Sequence, residues 1–248
     1  MVGRLRDRLY RPVYERLGAR RFDGRSESGL VTFTFDDFPA TALDSGGALL
    51  ERFGWRATYY ASGGLLGLDS ASGRLATVRE LDDGIARGHE IGNHSFSHSD
   101  CSKTSEKDFI EDCHRGSQAL ASYDAKNFAY PFGAMTPRVQ TLLGRTYDSC
   151  RGIEAGINGR GADLNGLRAN AVYSSRGLSD AEQLVERNRS ERGWLIFYTH
   201  DVRDTPSRFG VNPADFERLA KAVLDTGMPV LTVKDAILRL GVSRRAID

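Results

Sequence analysis

"VTFTFDDFPA", residues 31–40, alternates apolar and β-branched residues and then breaks on two adjacent carboxylates, Asp36 and Asp37. The alternation predicts a strand over residues 30–35, whose successive side chains point to opposite sides. Burying a carboxylate pair where a strand leaves its core is costly unless a cation or a catalytic duty accounts for it. The pair therefore marks the mouth of a fold whose strands end at a site.

Similar apolar runs bounded by turn residues recur at "ATYYAS" (57–62), "HEIGNH" (89–94), "NFAYP" (127–131), "YDSCRG" (147–152), "LRANAVY" (167–173), "WLIFYT" (194–199) and "PVLTV" (229–233). Helix-like segments lie between many of them. Thr77-x-x-Glu80 and Ser179-x-x-Glu182 fit capping boxes, and Asn212-Pro213 supplies an N-cap followed by proline. Alternating strand and helix imply parallel strands with crossover helices, as a barrel or a doubly wound sheet, and both gather functional groups at the strands' carboxyl ends. The glycine-rich stretch 152–166 is predicted as one long loop.

The 248 residues, 40% hydrophobic and 27% charged, suit a soluble globular chain and exclude collagenous, disordered and membrane-spanning classes. A net charge of +1 hides an asymmetry, because residues 1–28 carry eight arginines against four acids. This segment is expected to form a basic extension, residues 1–28, ahead of a single domain, residues 29–248. It is read as a terminal helix packing Leu5, Leu9 and Tyr14 on the body, with weak contact to an anionic membrane surface as the alternative. Nucleic acid is not an expected partner, and the oligomeric state is not legible. No apolar signal core follows the arginines, so a cytoplasmic protein is expected. Cys101, Cys113 and Cys150 lack metal-binding spacing and are expected to be buried and reduced.

Five histidines remain to carry chemistry. His94 and His98, four apart in "HSFSH", are placed by a helical turn on one side, at a separation suited to one cation. Asp37 would complete an Asp-His-His set for one divalent metal, zinc first. Asp36 is then free to take a proton from water. His89 and His114 are assigned no role.

"TFDD", "HSFSH", "YPFG" and "FYTHD" occur in the order found in the polysaccharide deacetylases, the nodulation-type deacetylases of carbohydrate esterase family four, which the chain resembles from about residue 29 to 240. The resemblance implies an α/β fold, a distorted (β/α) barrel with fewer than eight parallel strands, and metal-dependent removal of acetyl groups from amino sugars. It implies Asp36 as general base, Asp37, His94 and His98 as metal ligands, and His200 as general acid. It also implies Pro131 and Phe132 at the substrate, the Phe132 N–H facing the oxyanion.

Two departures stand out. The third motif usually carries an arginine that orients the base, and here the register reads Ala129-Tyr130-Pro131-Phe132. Arg168, at the start of a later strand, is the expected replacement, lying within reach of Asp36 to keep it ionised and correctly turned. The fourth motif, an aspartate followed by tryptophan, is missing from "YDSCRGIEAGIN", so His200 has no assigned partner; Asp201 should face the other way. The leading expectation is a deacetylase of an N-acetylated sugar or polysaccharide. The alternatives are an O-acetyl or formyl hydrolase on a sugar or lipid-linked sugar, and a metal-binding, carbohydrate-binding pseudoenzyme.

Overall fold

The computed structural model describes residues 12–14 and 18–242. Seven parallel strands form its main sheet: β1 (Leu30–Phe35), β2 (Thr58–Ala61), β3 (Glu90–Asn93), β4 (Asn127–Ala129), β5 (Ser149–Arg151), β6 (Asn170–Ala171) and β7 (Trp194–Thr199). Their spatial order is β6-β7-β1-β2-β3-β4-β5, and the sheet curls into a distorted barrel. The segment leading into β6 spans the seam. Leu167 bridges Arg151 on β5, while Asn170 and Ala171 pair with Phe197 and Tyr198 on β7.

Helices cover the outside: α1 (Ala48–Glu51, entered through a π-helical turn, Ala42–Gly47), α2 (Val78–Ala86), α3 (Glu106–Ala119), α4 (Pro137–Leu143), α5 (Ser179–Glu191), α6 (Pro213–Thr226) and α7 (Val233–Arg239). Strand alternation decides which residues meet them. Val31, Phe33 and Phe35 join Phe216, Leu219 and Val223 of α6 in the largest core cluster. Thr32 and Thr34 use their hydroxyls instead, accepting from Trp194 Nε1 at 2.9 Å and donating to the Phe197 carbonyl at 2.9 Å.

A line of buried polar contacts crosses four neighbouring strands. Thr58 Oγ1 donates to Glu90 Oε2 (2.7 Å), Asn127 Nδ2 to Glu90 Oε1 (2.6 Å), and Ser149 Oγ to Asn127 Oδ1 (2.8 Å). Glu90 and Thr58 also accept the Lys234 and Val233 amides, both at 2.9 Å, seating the first turn of α7 on the barrel. Burial pushes the Glu90 carboxyl above its ordinary range, and the hydrogen bonds satisfy it.

Several local expectations change. The run 229–233 shrinks to a bridge between Val31 and Val230, since Pro229 offers only its carbonyl to Val31 (3.0 Å) and Thr232 already caps α7. Ser179 opens α5 as its first residue rather than capping it, and Glu182 binds Arg218 at 2.9 Å. The stretch 152–166 contains a strand, Arg160–Asp163, paired antiparallel with Arg21–Asp23. The later part of the expected extension is thus stitched to the body. Arg20 reaches Asn165 (2.6 Å) and the Tyr147 and Asp148 carbonyls (3.0 and 2.8 Å). Tyr14 is buried and donates to Asp163; Leu5, Leu9 and the proposed membrane contact lie outside the described residues. Among the described residues no helix is long and apolar enough to cross a membrane.

The caps at α2 and α6 form as expected. Asn212 accepts the Asp215 amide at 2.8 Å ahead of Pro213. Glu80 accepts the Thr77 amide (2.7 Å) and hydroxyl (2.8 Å) and binds Arg74. The Arg74 hydrogen bond, ahead of the opposing effect of burial, holds Glu80 down at about 2. A carboxylate with a depressed folded pKa stabilises above its unfolded value and loses that contribution as pH falls through the folded one. Replacing Glu80 by Gln should therefore cost about 1 kcal/mol at neutral pH, with the melting-temperature gap to wild type closing as pH falls from about 4.5 toward 2. A gap independent of pH in thermal melts would refute this account.

Candidate active site

Asp36 continues the inward-facing series of Thr32 and Thr34, and its amide donates to the Thr199 carbonyl at 2.9 Å, extending the β1–β7 register by one residue. The chain then turns abruptly. Asp37 and Phe38 both adopt left-handed backbone conformations (φ 60° and 52°), which side chains with a Cβ enter at a cost. Phe38 is buried against Tyr59 with ring centroids 4.5 Å apart. That anchor leaves Asp37 at the barrel mouth.

His94 directly follows β3. Its Nδ1 lies 2.7 Å from the Ala129 carbonyl, so Nδ1 carries the proton and Nε2 is left as the free donor atom. Burial, then the neighbouring His98, pushes its pKa down to about 4, keeping the ring neutral as a metal ligand requires. His98 arrives by an irregular loop rather than the expected helical turn, with left-handed Ser95 and His98 (φ 65° and 56°). Polar contacts hold that loop. The Ser95 amide donates to Asn93 Oδ1 (2.8 Å), and buried Asp112 of α3 accepts from the Ser97 amide (3.1 Å) and hydroxyl (2.7 Å). Gly116, one turn further on α3, has no room for a Cβ, which would meet the Ser95 carbonyl carbon at 2.7 Å.

The result is a cluster. Asp37 Oδ1 lies 3.2 Å from His98 Nε2 and 3.7 Å from His94 Nε2, and one ligand atom from each of the three falls within 4.8 Å of the others. Two imidazoles and one carboxylate, with the rest of the mouth open, fit a divalent ion of the zinc type that keeps positions for water and substrate.

Beneath Asp37, Arg151 Nη2 donates to Asp36 Oδ1. Arg151 ends β5 fully buried, its Nη1 donates to the Gly152 carbonyl at 2.8 Å, and its guanidinium carbon lies 5.0 and 5.1 Å from the ring centroids of Tyr60 and Tyr198. Burial alone would raise the Asp36 pKa, but the charge of Arg151 and its hydrogen bond outweigh it and leave the carboxyl below its ordinary value.

This corrects the expectation for Arg168. That side chain is half exposed and pairs with Glu154 at 2.8 Å, outside the barrel, and its amide is tied to Asn158 Oδ1 ahead of β6. The arginine beside Asp36 comes from "YDSCRG", the run searched for a missing aspartate-tryptophan pair. Period-two alternation held the signal: Ser149 and Arg151 face inward, and Cys150 joins the outer cluster with Phe128 and Val139.

His200 follows β7 on the opposite side of the mouth, with Nε2 3.9 Å from Asp37 Oδ2. Among the described residues its buried Nδ1 has no hydrogen-bond partner. Phe209 stacks on the ring (5.3 Å, 30°), and the Phe209 carbonyl accepts the His200 amide at 3.1 Å. Asp201 turns away as expected, binding Arg203 Nε and the Ser207 amide, both at 2.8 Å. Pro131 is buried, and Phe132 is exposed and left-handed (φ 58°), its ring 4.5 Å from His98. The turn there bonds Gly133 to Tyr130 and Ala134 to Pro131, without using the Phe132 N–H.

These groups open on a cavity of about 300 Å³, walled by Phe132, Ile153, Tyr173, Tyr198 and Phe209. A larger cavity of about 500 Å³, bordered by Arg160, Asp163 and Arg168, holds none of the metal-type donors. Tyr59 and Trp194 are core residues. His89 is structural, between the Ala57 amide (3.1 Å) and Glu51 (2.7 Å), His114 is exposed, and the three cysteines are buried and form no disulfide among the described residues.

Comparison with known proteins agrees with this fold. No curated protein sequence matches the chain. Among solved structures, it is similar to the CE4 domain of a multidomain xylanase from the hindgut metagenome of Trinervitermes trinervoides (17% identity, TM-score 0.57, 89% of this chain and 95% of that one). It is also similar to a family 4 acetyl xylan esterase from Clostridium thermocellum in complex with a cobalt ion (22%, 0.58, 87% and 93%). A third likeness is the chitin deacetylase of the fungal pathogen Colletotrichum lindemuthianum (16%, 0.57, 87% and 90%). At these identities the likeness is one of fold. The family model described as polysaccharide deacetylase matches residues 23–146, half of the sequence and the half that holds both the Asp36-Asp37 pair and the two histidines, so this chain belongs to the polysaccharide deacetylase family.

Proposed function

We propose that the chain hydrolyses acetyl groups from an N-acetylated saccharide, using one divalent metal, zinc first, held by Asp37, His94 and His98. The observation that carries this reading is the convergence of three metal-type donors between a buried carboxylate, Asp36, and an imidazole, His200. A divalent ion bound there would supply Lewis-acid polarisation of the acyl oxygen and of the attacking water.

The chain's own groups do the rest. Asp36, held ionised by Arg151, accepts the proton of the attacking water. The Phe132 N–H is free to donate to the developing oxyanion. His200, on the far side of the mouth, gives its proton to the departing nitrogen. The pseudoenzyme alternative took its motive from Ala129 and the missing fourth motif; Arg151 answers the first, since a cation is present from another strand. The solved neighbours include an acetyl xylan esterase and a chitin deacetylase, so ester and amide substrates both belong in the test.

Acetate release from chitooligosaccharides and acetylated xylan, before and after chelation and with zinc restored, tests the reading. Activity on the amide, lost with the metal and regained with it, is the expected result; undiminished activity in chelator would overturn it. Replacing His94 by Ala should abolish most metal binding, whereas Asp36→Asn and His200→Ala should keep the metal and lose turnover by about 10²–10⁴-fold. Metal stoichiometry by elemental analysis checks the division of roles.

Arg151→Met should leave Asp36 buried without its cation, a change of about 3–5 kcal/mol, and should cut turnover while metal remains bound. Arg168→Met should do neither. Equal effects of the two substitutions on thermal stability and acetate release would remove Arg151 from the mechanism.

A further inference from the structure

We infer that the saccharide carries an anionic group, carboxylate or phosphate, close to the reacting acetyl, and that Arg208 receives it; this rests on the deacetylase reading above. Arg208 lines the cavity and is exposed. Its guanidinium carbon lies 4.3 Å from the centroid of Phe209, the ring that stacks on His200. Among the described residues no carboxylate pairs with it. The carboxylates lining the cavity are Asp36, bound by Arg151, and Asp37, turned toward His94 and His98. The rest of the wall is neutral apart from the histidines.

The position is built rather than incidental. Buried Asp201 gathers Arg203 and Ser207, Ser207 Oγ accepts the Phe209 amide at 3.2 Å, and Ser175 Oγ donates to the Arg208 carbonyl at 3.3 Å. Behind that wall, outside the cavity lining, Arg176, also exposed and without a carboxylate partner among the described residues, lies 5.3 Å from the Tyr173 ring, itself 5.8 Å from Phe209. Two cations thus stack on adjacent aromatics beside the proton donor. Stacking on a ring fixes the plane of a guanidinium and leaves its outer N–H fork free for an anion.

The test measures kcat and KM for acetate release from three soluble tetrasaccharides. One is the neutral N-acetylglucosamine tetramer, one alternates N-acetylglucosamine with N-acetylmuramic acid and so carries carboxylates, and one is the neutral tetramer bearing 6-phosphates. Wild type should favour one anionic tetramer over the neutral one by about tenfold in kcat/KM, carried by KM and weakened by added salt; which one identifies the anion. Arg208→Gln should collapse that ratio toward one, and Arg208→Lys should keep part of it. A wild-type preference for the neutral tetramer, or a ratio unchanged in Arg208→Gln, would overturn the inference. If no tetramer releases acetate, the deacetylase reading fails for these substrates, and the same ratio taken from binding calorimetry decides the role of Arg208 by itself.

Discussion

A buried guanidinium bound to a buried carboxylate, Arg151 on Asp36, is the contact on which the mouth of the barrel depends. Taking both charges out of water costs several kcal/mol each, repaid only by close geometry and by neighbours that tolerate the charge. The barrel provides both. β5 lies four places from β1 in the sheet order, yet curling brings their inward faces together. Tyr60 and Tyr198, from β2 and β7, offer ring faces to the guanidinium from two more directions. Four strands therefore agree on one rotamer of Asp36, and the closure of the fold keeps that carboxylate turned toward the mouth and paired with a cation.

Above that pair, local backbone conformations carry the cost. Of the seven non-glycine residues with left-handed φ among the described residues, five (Asp37, Phe38, Ser95, His98 and Phe132) lie in the segments that bring metal-type donors or substrate contacts to the mouth. Such conformations persist only where the surroundings over-determine them. Phe38 is held by Tyr59, and the Ser95–His98 loop by Asn93 and Asp112. The packing of α3 on β3 through Gly116 is thus connected to the ligand geometry.

Much of this was legible in the sequence, and the boundary is physical. Alternation in "VTFTF" fixed which side of β1 faces the barrel, and the short motifs located every donor of the Asp37-His94-His98 cluster. What failed were inferences that required knowing which strands face one another. Arg168 was placed by need, while Arg151 sat in a three-residue strand whose inward face is legible only after the barrel is closed. The pairing of Arg160–Asp163 with Arg21–Asp23 escaped for the same reason: partners far apart in sequence leave no periodic signal when each strand is short.

His200 is held by stacking and backbone rather than by a side-chain hydrogen bond among the described residues. Among the described residues no group bonds its Nδ1, and the ring is set by the stacking face of Phe209 and by the backbone bond from His200 to the Phe209 carbonyl. Stacking fixes the plane of the ring. The loop that supplies this stack is shaped by Asp201, whose carboxylate is consumed by Arg203 and Ser207 rather than by the histidine it follows. The carboxylate next to His200 in sequence is therefore engaged in loop architecture, and the same loop presents Arg208 to the cavity. One segment thus both stacks on His200 through Phe209 and lines the cavity through Arg208, so a substitution that shifts the ring also reshapes the mouth.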